Sequence, residues 1–312
     1  MNLPVFRSSD LTPDGEPIAV GGRGVIYRVK LVKDTADFED GHEFLLKVYK
    51  RDVLAKNGMA MNHHLDLVNR LLTSNSGFFD SRLARPLAVV HKNGQFVGYV
   101  MKPFQDGCTF DLKHFNGSKS VALKDFKIFL NSSAERARMG VPDLTTKEKL
   151  LLLEDFLGTL QKLHALEIIV GDISGNNLVM QSKRNGQNRL RAIFLDVDSF
   201  RASSKPNPLG SEVTPDWSVP EDKEKNRVQA NKKTDVYKAA LMVRRLLHQV
   251  EENTEHSYTL RKSVNTRDFL VSAGGKKLLK TIDACFSNPP ITRPTALTLY
   301  EHFCDFNRRY IE

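Results

Sequence analysis

Apolar and polar positions alternate with a period of two in the first third of the chain, the signature of half-buried strands. In the stretch Ile18 to Val29, a glycine turn separates one apolar segment from another, and alternation resumes at Val25, Tyr27 and Val29 with Arg28 and Lys30 as polar neighbours. Phe44 to Tyr49 reads as a further strand with Lys47 inside an apolar run. Leu83 to Val90 and Phe96 to Met101 read as two more, joined by the turn Lys92-Asn93-Gly94. Residues 1 to about 16 are polar with Pro4, Pro13 and Gly15, a leader or first edge strand. Lys33 to His42 is a polar insertion, read as an extended hairpin loop.

The period then lengthens. Leu65, Val68, Leu71 and Leu72 give an apolar helical face between Val53 and Leu72. Residues 105 to 145 are mixed and basic, with one or two short helices expected. Thr145-Thr146-Lys147-Glu148 is a capping box opening a long buried helix marked by Leu150, Leu153, Phe156, Leu157, Leu160, Leu163 and His164. His164 reads as a core or loop-bracing residue. Two short apolar runs follow, Leu178 to Met180 and Ala192 to Leu195, then a Ser- and Pro-containing loop from Arg201 to Gly210. After a charged linker, Asp222 to Lys233, a helix capped by Thr234 or Asp235 is expected. A rigid turn at Asn288 to Thr295 precedes a final helix from Ala296 to about Phe306.

Composition narrows the class. The 312 residues are 40% hydrophobic and 27% charged, ordinary for a globular protein able to bury a core. No run of about eighteen apolar residues and no apolar leader occurs, so neither membrane spans nor secretion is expected. The three cysteines, Cys108, Cys285 and Cys304, are scattered, which suits a reducing cytoplasmic setting. The formal charge is +9, and its densest patch, Lys183, Arg184, Arg189 and Arg191, surrounds an Asn185-Gly186 hairpin turn. No aromatic residues interleave with those charges, which disfavours a dedicated nucleic-acid surface.

The chemistry gathers around Val170-Gly171-Asp172-Ile173-Ser174-Gly175-Asn176-Asn177. An aspartate is followed five positions later by an asparagine, and the next apolar run ends at Asp196-Val197-Asp198. Phosphoryl transfer from Mg-ATP needs an acid to orient the attacking hydroxyl, with an amide and a carboxylate to hold metal on the phosphates. Upstream, Ala19, Gly21, Gly22, Gly24 and Ile26 form a glycine turn through which backbone amides can approach phosphate oxygens. An ordinary hairpin would carry the same residues. Lys47 is either a solvent-facing edge lysine or a phosphate anchor. No Glu lies between Glu43 and Glu135, so a carboxylate partner for Lys47 on the following helix would be Asp66, which could equally be a solvated surface residue. Met101, Lys102 and Phe104 border the exit from the last strand, where Pro103 lacks an N–H.

With these residues in order, the chain resembles the eukaryotic-like protein kinase superfamily over roughly residues 16 to 310. The run Asp196-Val197-Asp198-Ser199-Phe200 looks like the D-x-D-S-F variant of D-F-G found in divergent bacterial serine/threonine kinases. Val219-Pro220-Glu221 looks like A-P-E, Asp235 like the buried aspartate of the central helix, and Arg293 like the arginine that pairs with the A-P-E glutamate. The resemblance implies an α+β, two-lobed kinase-like fold as a single domain. Its lobes would be an antiparallel sheet with one helix at about 16–101, a hinge at 102–106 and a mainly helical lobe at 107–312. It also implies roles. Asp172 would orient the hydroxyl, and Thr214 would bond that aspartate. Lys47 would hold the phosphates of ATP beside the glycine turn, and Met101, Lys102 and Phe104 would border the adenine. Asn177, Asp196 and Asp198 would hold Mg²⁺ or Mn²⁺. The implied partners are ATP and a protein substrate that the sequence does not name.

Three departures stand out. Gly171 replaces the arginine before the catalytic aspartate, so switching by a phosphorylated Ser203, Ser204 or Ser211 is not expected. Asp198 replaces a glycine and adds a carboxylate near the metal or stiffens the turn. Ser174 replaces a lysine that usually meets the γ-phosphate. Gly171-Asp172 with Asp196-x-Asp198 also resembles aminoglycoside- and choline-type small-molecule kinases, which generally lack Glu221, Asp235 and Arg293. The missing helix glutamate and Gly171 keep a nucleotide-binding pseudokinase or scaffold as the other alternative.

Overall fold

The computed structural model of the chain describes residues 2–35, 37–104, 106–114, 116–182, 190–210, 214–223, 229–248 and 264–311. The protein is α+β and divides into two compact units, Met1–Phe104 with Asp196–Gly210, and Gln105–Leu195 with Ser211–Glu312. The segment Asp196–Gly210, expected with the later residues, clusters with the first unit instead.

The first unit is built on a sheet of seven strands. They are β1 (Val5–Arg7), β2 (Leu11–Pro13), β3 (Ala19–Val20), β4 (Gly24–Leu31), β5 (Glu43–Tyr49), β6 (Pro86–Lys92) and β7 (Gln95–Met101). Their order is β1-β6-β7-β5-β4-β2, with β3 also paired to β4. The sheet is antiparallel except for β1, which runs parallel to β6. The sheet therefore begins well before residue 16, and the expected antiparallel sheet carries one parallel pair at its edge. The β6–β7 turn puts Asn93 and Gly94 at φ 52° and 76°, the left-handed pair that suits the twist of a two-residue hairpin.

One face of this sheet buries Phe6, Leu11, Val29, Leu31, Phe44, Ala88, Val90 and Val100. Each such large side chain contributes about 1.5–3 kcal/mol when withdrawn from water. The polar insertion before β5 sends Phe38 back onto this cluster, its ring 5.0 Å from Phe44 and 6.0 Å from Phe6. Helix α1 (Arg51–Thr73) is in contact with β7 and buries Met61, His64, Leu65, Val68 and Leu72, a stripe at helical spacing. A four-residue helix, α2 (Ser76–Phe79), follows where a single helix was expected.

The second unit opens with a hairpin, β8 (Thr109–Lys113) and β9 (Lys119–Leu123), in a region read from sequence only as short helices. Its strands alternate weakly and carry Asp111, Lys113 and Lys119, so hydropathy does not announce them. Two short helices follow, α3 (Phe126–Phe129) and α4 (Ser133–Arg138). The long helix α5 (Thr146–Ala165) starts at the expected capping box, with Thr145 accepting from the Glu148 amide. It buries Leu150, Leu153, Phe156, Leu157, Leu160 and Leu163. The two-residue strand β10 (Ile168–Ile169) leads into the central loop. That loop feeds an antiparallel pair, β11 (Leu178–Gln181) and β12 (Arg191–Phe194), where Phe194 stacks on Phe156 at 5.5 Å.

Helix α6 (Lys232–Leu247) is almost wholly buried. Its cap is Asn231, which accepts from the Lys233 and Thr234 amides; neither Thr234 nor Asp235 caps it, which corrects the expected start. Helices α7 (Val264–Ser272), α8 (Lys276–Cys285) and α9 (Ala296–Ile311) complete the unit, and α9 packs on α5. The Asn185-Gly186 turn with Lys183, Arg184 and Arg189, Ser211, and residues 224–228 of the linker lie outside the described residues. Among the described residues no helix is long and apolar enough to cross a membrane.

Candidate functional site

Two groups of polar side chains stand out, one in each unit. In the first, strand periodicity does the positioning. Lys47 and Tyr49 are two apart on β5 and share one face, and the β5–β7 register sets Tyr99 directly opposite Lys47. Onto this trio comes the turn that begins at Asp196. Asp196 adopts the left-handed conformation, φ 49° and ψ 46°, at a cost of about 1–2 kcal/mol for a side chain with a Cβ. A single 3₁₀ turn, Val197–Ser199, then carries Asp198 inward. Asn207 holds the turn from outside, donating to the carbonyls of Asp198 at 3.1 Å and Ser199 at 2.9 Å.

The Lys47 ammonium lies 3.1 Å from Asp196 Oδ1 and 3.0 Å from both oxygens of Asp198. Tyr49 donates to Asp198 Oδ2 at 2.7 Å and Tyr99 to Oδ1 at 3.3 Å. Asp198 is 1% exposed, whereas the Asp196 side chain is 46% exposed. Burial disfavours both charges of the inner pair, yet each partner's opposite charge outweighs it. Lys47 is held above its ordinary value by Asp198 and then Asp196, and Asp198 below its own by Lys47 and the Tyr49 hydroxyl. Burial, reinforced by the Asp198 charge, pushes both tyrosines well up, so they remain donors. A buried pair of this kind is tolerable because the remaining lone pairs are hydrogen-bonded.

Asp66 is not the partner of Lys47. Its carboxylate accepts the Leu3 amide at 2.7 Å, tying the N-terminal segment to α1, and this corrects the expected lysine–helix pair. The glycine turn is a hairpin in which Ala19 pairs with Ile26 and the Gly21 amide donates to the Gly24 carbonyl at 2.8 Å. Its glycines differ in kind. A Cβ on Gly24 would sit 2.5 Å from the Val48 carbonyl oxygen, so the close pass of β4 over β5 demands that residue. Gly22 has open space around it and a Cβ on Gly21 would meet only the Gly24 carbonyl oxygen, at an ordinary 3.6 Å, so packing does not explain them. Met101 ends β7 buried, Lys102 is exposed, and Phe104 is half-buried.

In the second unit the group centres on Asp172. Thr214 donates to its Oδ1 at 2.8 Å, and the Asn177 amide nitrogen donates to its Oδ2 at 2.8 Å and to its carbonyl at 2.9 Å. The carboxylate is thereby fixed from two sides, and the Asn177 amide oxygen is left over. Asp235, 0% exposed on α6, holds the loop backbone. It accepts from the Val170 amide at 2.8 Å, the Gly171 amide at 2.9 Å and His164 Nε2 at 3.0 Å. His164 therefore braces the loop. Lys238 donates to the Gly171 carbonyl at 2.9 Å. Gly171 has φ 81°, which only glycine adopts without strain, so an arginine at this position conflicts with the backbone.

Two further features frame this unit. Arg293 grips Glu221 bidentately, with both bonds at 2.8 Å. Thr214 also lines a cleft of about 150 Å³ together with Lys127, Gly175, Asn176, Asp216 and Trp217.

The structure thus brings together Lys47, Asp196 and Asp198 in one unit, and Asp172, Asn177 and Thr214 in the other. Sequence reasoning missed Tyr49, Tyr99 and Lys238. Tyr49 was findable, since a residue two beyond Lys47 on a strand must share its face. Among the described residues no group of three or more His, Cys, Asp or Glu side chains is arranged to hold a metal ion by itself. No protein-family model matches the chain, and no curated protein matches it.

Proposed function

We propose that the protein is an ATP-dependent kinase of kinase-like fold that transfers the γ-phosphate of Mg-ATP to serine or threonine hydroxyls of a protein. The observation that carries this reading is the clamp on Asp172. A carboxylate fixed by Thr214 on one oxygen and Asn177 on the other presents a defined lone pair to an incoming hydroxyl. A protein that only bound nucleotide would have no need of it. Lys47 and the glycines at 21 and 22 suit phosphate oxygens, the first by charge and the others by open backbone.

The donor set also fits Mg²⁺, which takes hard oxygen ligands and commonly uses one or two carboxylates together with substrate phosphates. Asp196, nearly half exposed, and the Asn177 amide oxygen are donors of that kind. When bound, the ion would neutralise charge on the phosphate oxygens. Asp172 would orient the acceptor hydroxyl and receive its proton, while Lys47 would hold the phosphates in line. Positioning and charge neutralisation of this kind account for most of the rate in phosphoryl transfer. Glu221, Asp235 and Arg293, all engaged in the second unit, favour a protein substrate over the small-molecule branch, which generally lacks them.

The test is transfer of labelled γ-phosphate from ATP, with Mg²⁺ and Mn²⁺ separately, to the protein itself, to generic protein substrates and to small hydroxyl compounds. Label on serine or threonine that Asp172→Ala and Asp196→Asn each reduce by a factor of about 10² or more is the expected result. Label on a small compound alone would move the assignment to small-molecule phosphotransfer. ATP binding without transfer would make the chain a pseudokinase.

A further inference from the structure

We propose that Asp198 is the positioning residue of Lys47, doing from inside the 196–198 turn what a carboxylate on α1 was expected to do. The consequence for catalysis rests on the kinase reading above; the pairing itself does not.

Helix α1 has two carboxylates, Asp52 and Asp66. Asp52 is exposed, and Asp66 is committed to the Leu3 amide. The buried stripe of α1 carries no acid at all. Asp198, by contrast, meets Lys47 through both oxygens, and each oxygen takes one tyrosine hydroxyl as well. An ionised carboxylate offers about four acceptor positions. All four are filled by Lys47, Tyr49 and Tyr99, in a residue that is 1% exposed. On this proposal Asp198 serves Lys47 rather than the metal. Its lone pairs are spent on the lysine cage, and Asp196, on the exposed side, is the oxygen donor of the turn.

The three donors are set by the sheet alone, through the two-residue spacing on β5 and the Lys47–Tyr99 register. The turn is fastened to its own flank by Asn207. Lys47 is thus oriented by strands and turn together; α1 packs on that turn but supplies no carboxylate to the lysine.

Two measurements on the full chain decide this. In the first, urea unfolding followed by circular dichroism is compared for Lys47→Met, Asp198→Asn, Asp66→Asn and the doubles. Lys47→Met with Asp198→Asn should be non-additive by about tenfold or more in the unfolding constant, and Lys47→Met with Asp66→Asn should be additive. In the second, phosphate transfer is titrated with Mg²⁺. Asp198→Asn should lower the rate at saturating metal by about 10²-fold and leave the Mg²⁺ midpoint within about twofold, whereas Asp196→Asn should raise that midpoint. Asp66→Asn should keep the wild-type rate.

Additivity at 47 and 198, or a Mg²⁺ midpoint raised about tenfold by Asp198→Asn, would overturn the proposal. If Asp198→Asn does not fold, Tyr49→Phe removes one bond from the cage. It should then show the same non-additivity with Lys47→Met in weaker form, and full additivity there would count against the cage. A wild type that transfers no phosphate would refute the kinase reading while the unfolding comparison still judged Asp198.

Discussion

Asp235→Asn is the substitution whose cost can be worked most directly from the geometry. The wild-type carboxylate is fully buried and receives the Val170 and Gly171 amides and His164 Nε2. An asparagine of nearly the same shape keeps one oxygen, which can serve Val170 and His164. Its NH₂ group then faces the Gly171 amide, donor against donor. The change removes one charge-assisted bond, about 1.5–3 kcal/mol, and strands a buried N–H at about 1–3 kcal/mol. The expected loss is therefore about 2.5–6 kcal/mol. Trp217 is the chain's one tryptophan and lies buried in the same unit beneath the Arg245 guanidinium at 4.3 Å, so its fluorescence reports the unfolding of that unit in urea. Amide hydrogen exchange at Gly171 gives a local check. Its protection should fall by a factor of about 10² or more, since each 1.4 kcal/mol is tenfold. A stability loss under about 1 kcal/mol, or unchanged exchange at Gly171, would refute the assignment of Asp235 as the brace of the Asp172 loop.

Two further outcomes are expected. Glu221→Leu leaves the buried Arg293 guanidinium with the Ser287 and Lys233 carbonyls and the Tyr237 ring, and should cost about 3–5 kcal/mol in urea unfolding; Glu221→Leu with Arg293→Met should recover most of it, and equal losses in single and double would contradict the pairing. Burial pushes the Asp125 carboxyl up to about 6, above its unfolded value near 4, so the stability it contributes is full below about pH 4 and lost as pH rises through 6. Asp125→Asn, which keeps an acceptor for the Ile128 amide, should remove that slope and gain about 2–3 kcal/mol at pH 7.5; a difference from wild type that is constant from pH 4 to 8 would rule this out.

Local pattern made much of the fold legible. The apolar run around Lys47 and the Asn93-Gly94 pair located β5 and the β6–β7 hairpin, because short apolar runs bounded by turn residues read as strands. The Thr145–Glu148 box located the start of α5, because its reciprocal bonds lie within one turn of helix. The β8–β9 hairpin was not legible, since its exposed strands bury too little to leave an apolar period. Neither was the cap of α6. Asparagine, threonine and aspartate all stand at the right place, and only the competing demand of the Val170 and Gly171 amides takes Asp235 out of contention.

The candidate site divides the same way. Residue type and spacing along the chain were enough to single out Asp172 with Asn177 and Asp196 with Asp198, because the chemistry restricts which side chains can serve; Thr214, and Glu221 with Arg293, were singled out only by the resemblance to the kinase superfamily. Which partner each side chain takes was decided only in three dimensions. Lys47 could have met Asp66, Asp196 or Asp198. The β5–β7 register and the left-handed turn at Asp196 bring Asp198 between two tyrosines and the lysine, while Asp66 is claimed by the Leu3 amide. Partner choice among equivalent carboxylates depends on distance and on which lone pairs are already filled, and neither quantity is written along the chain.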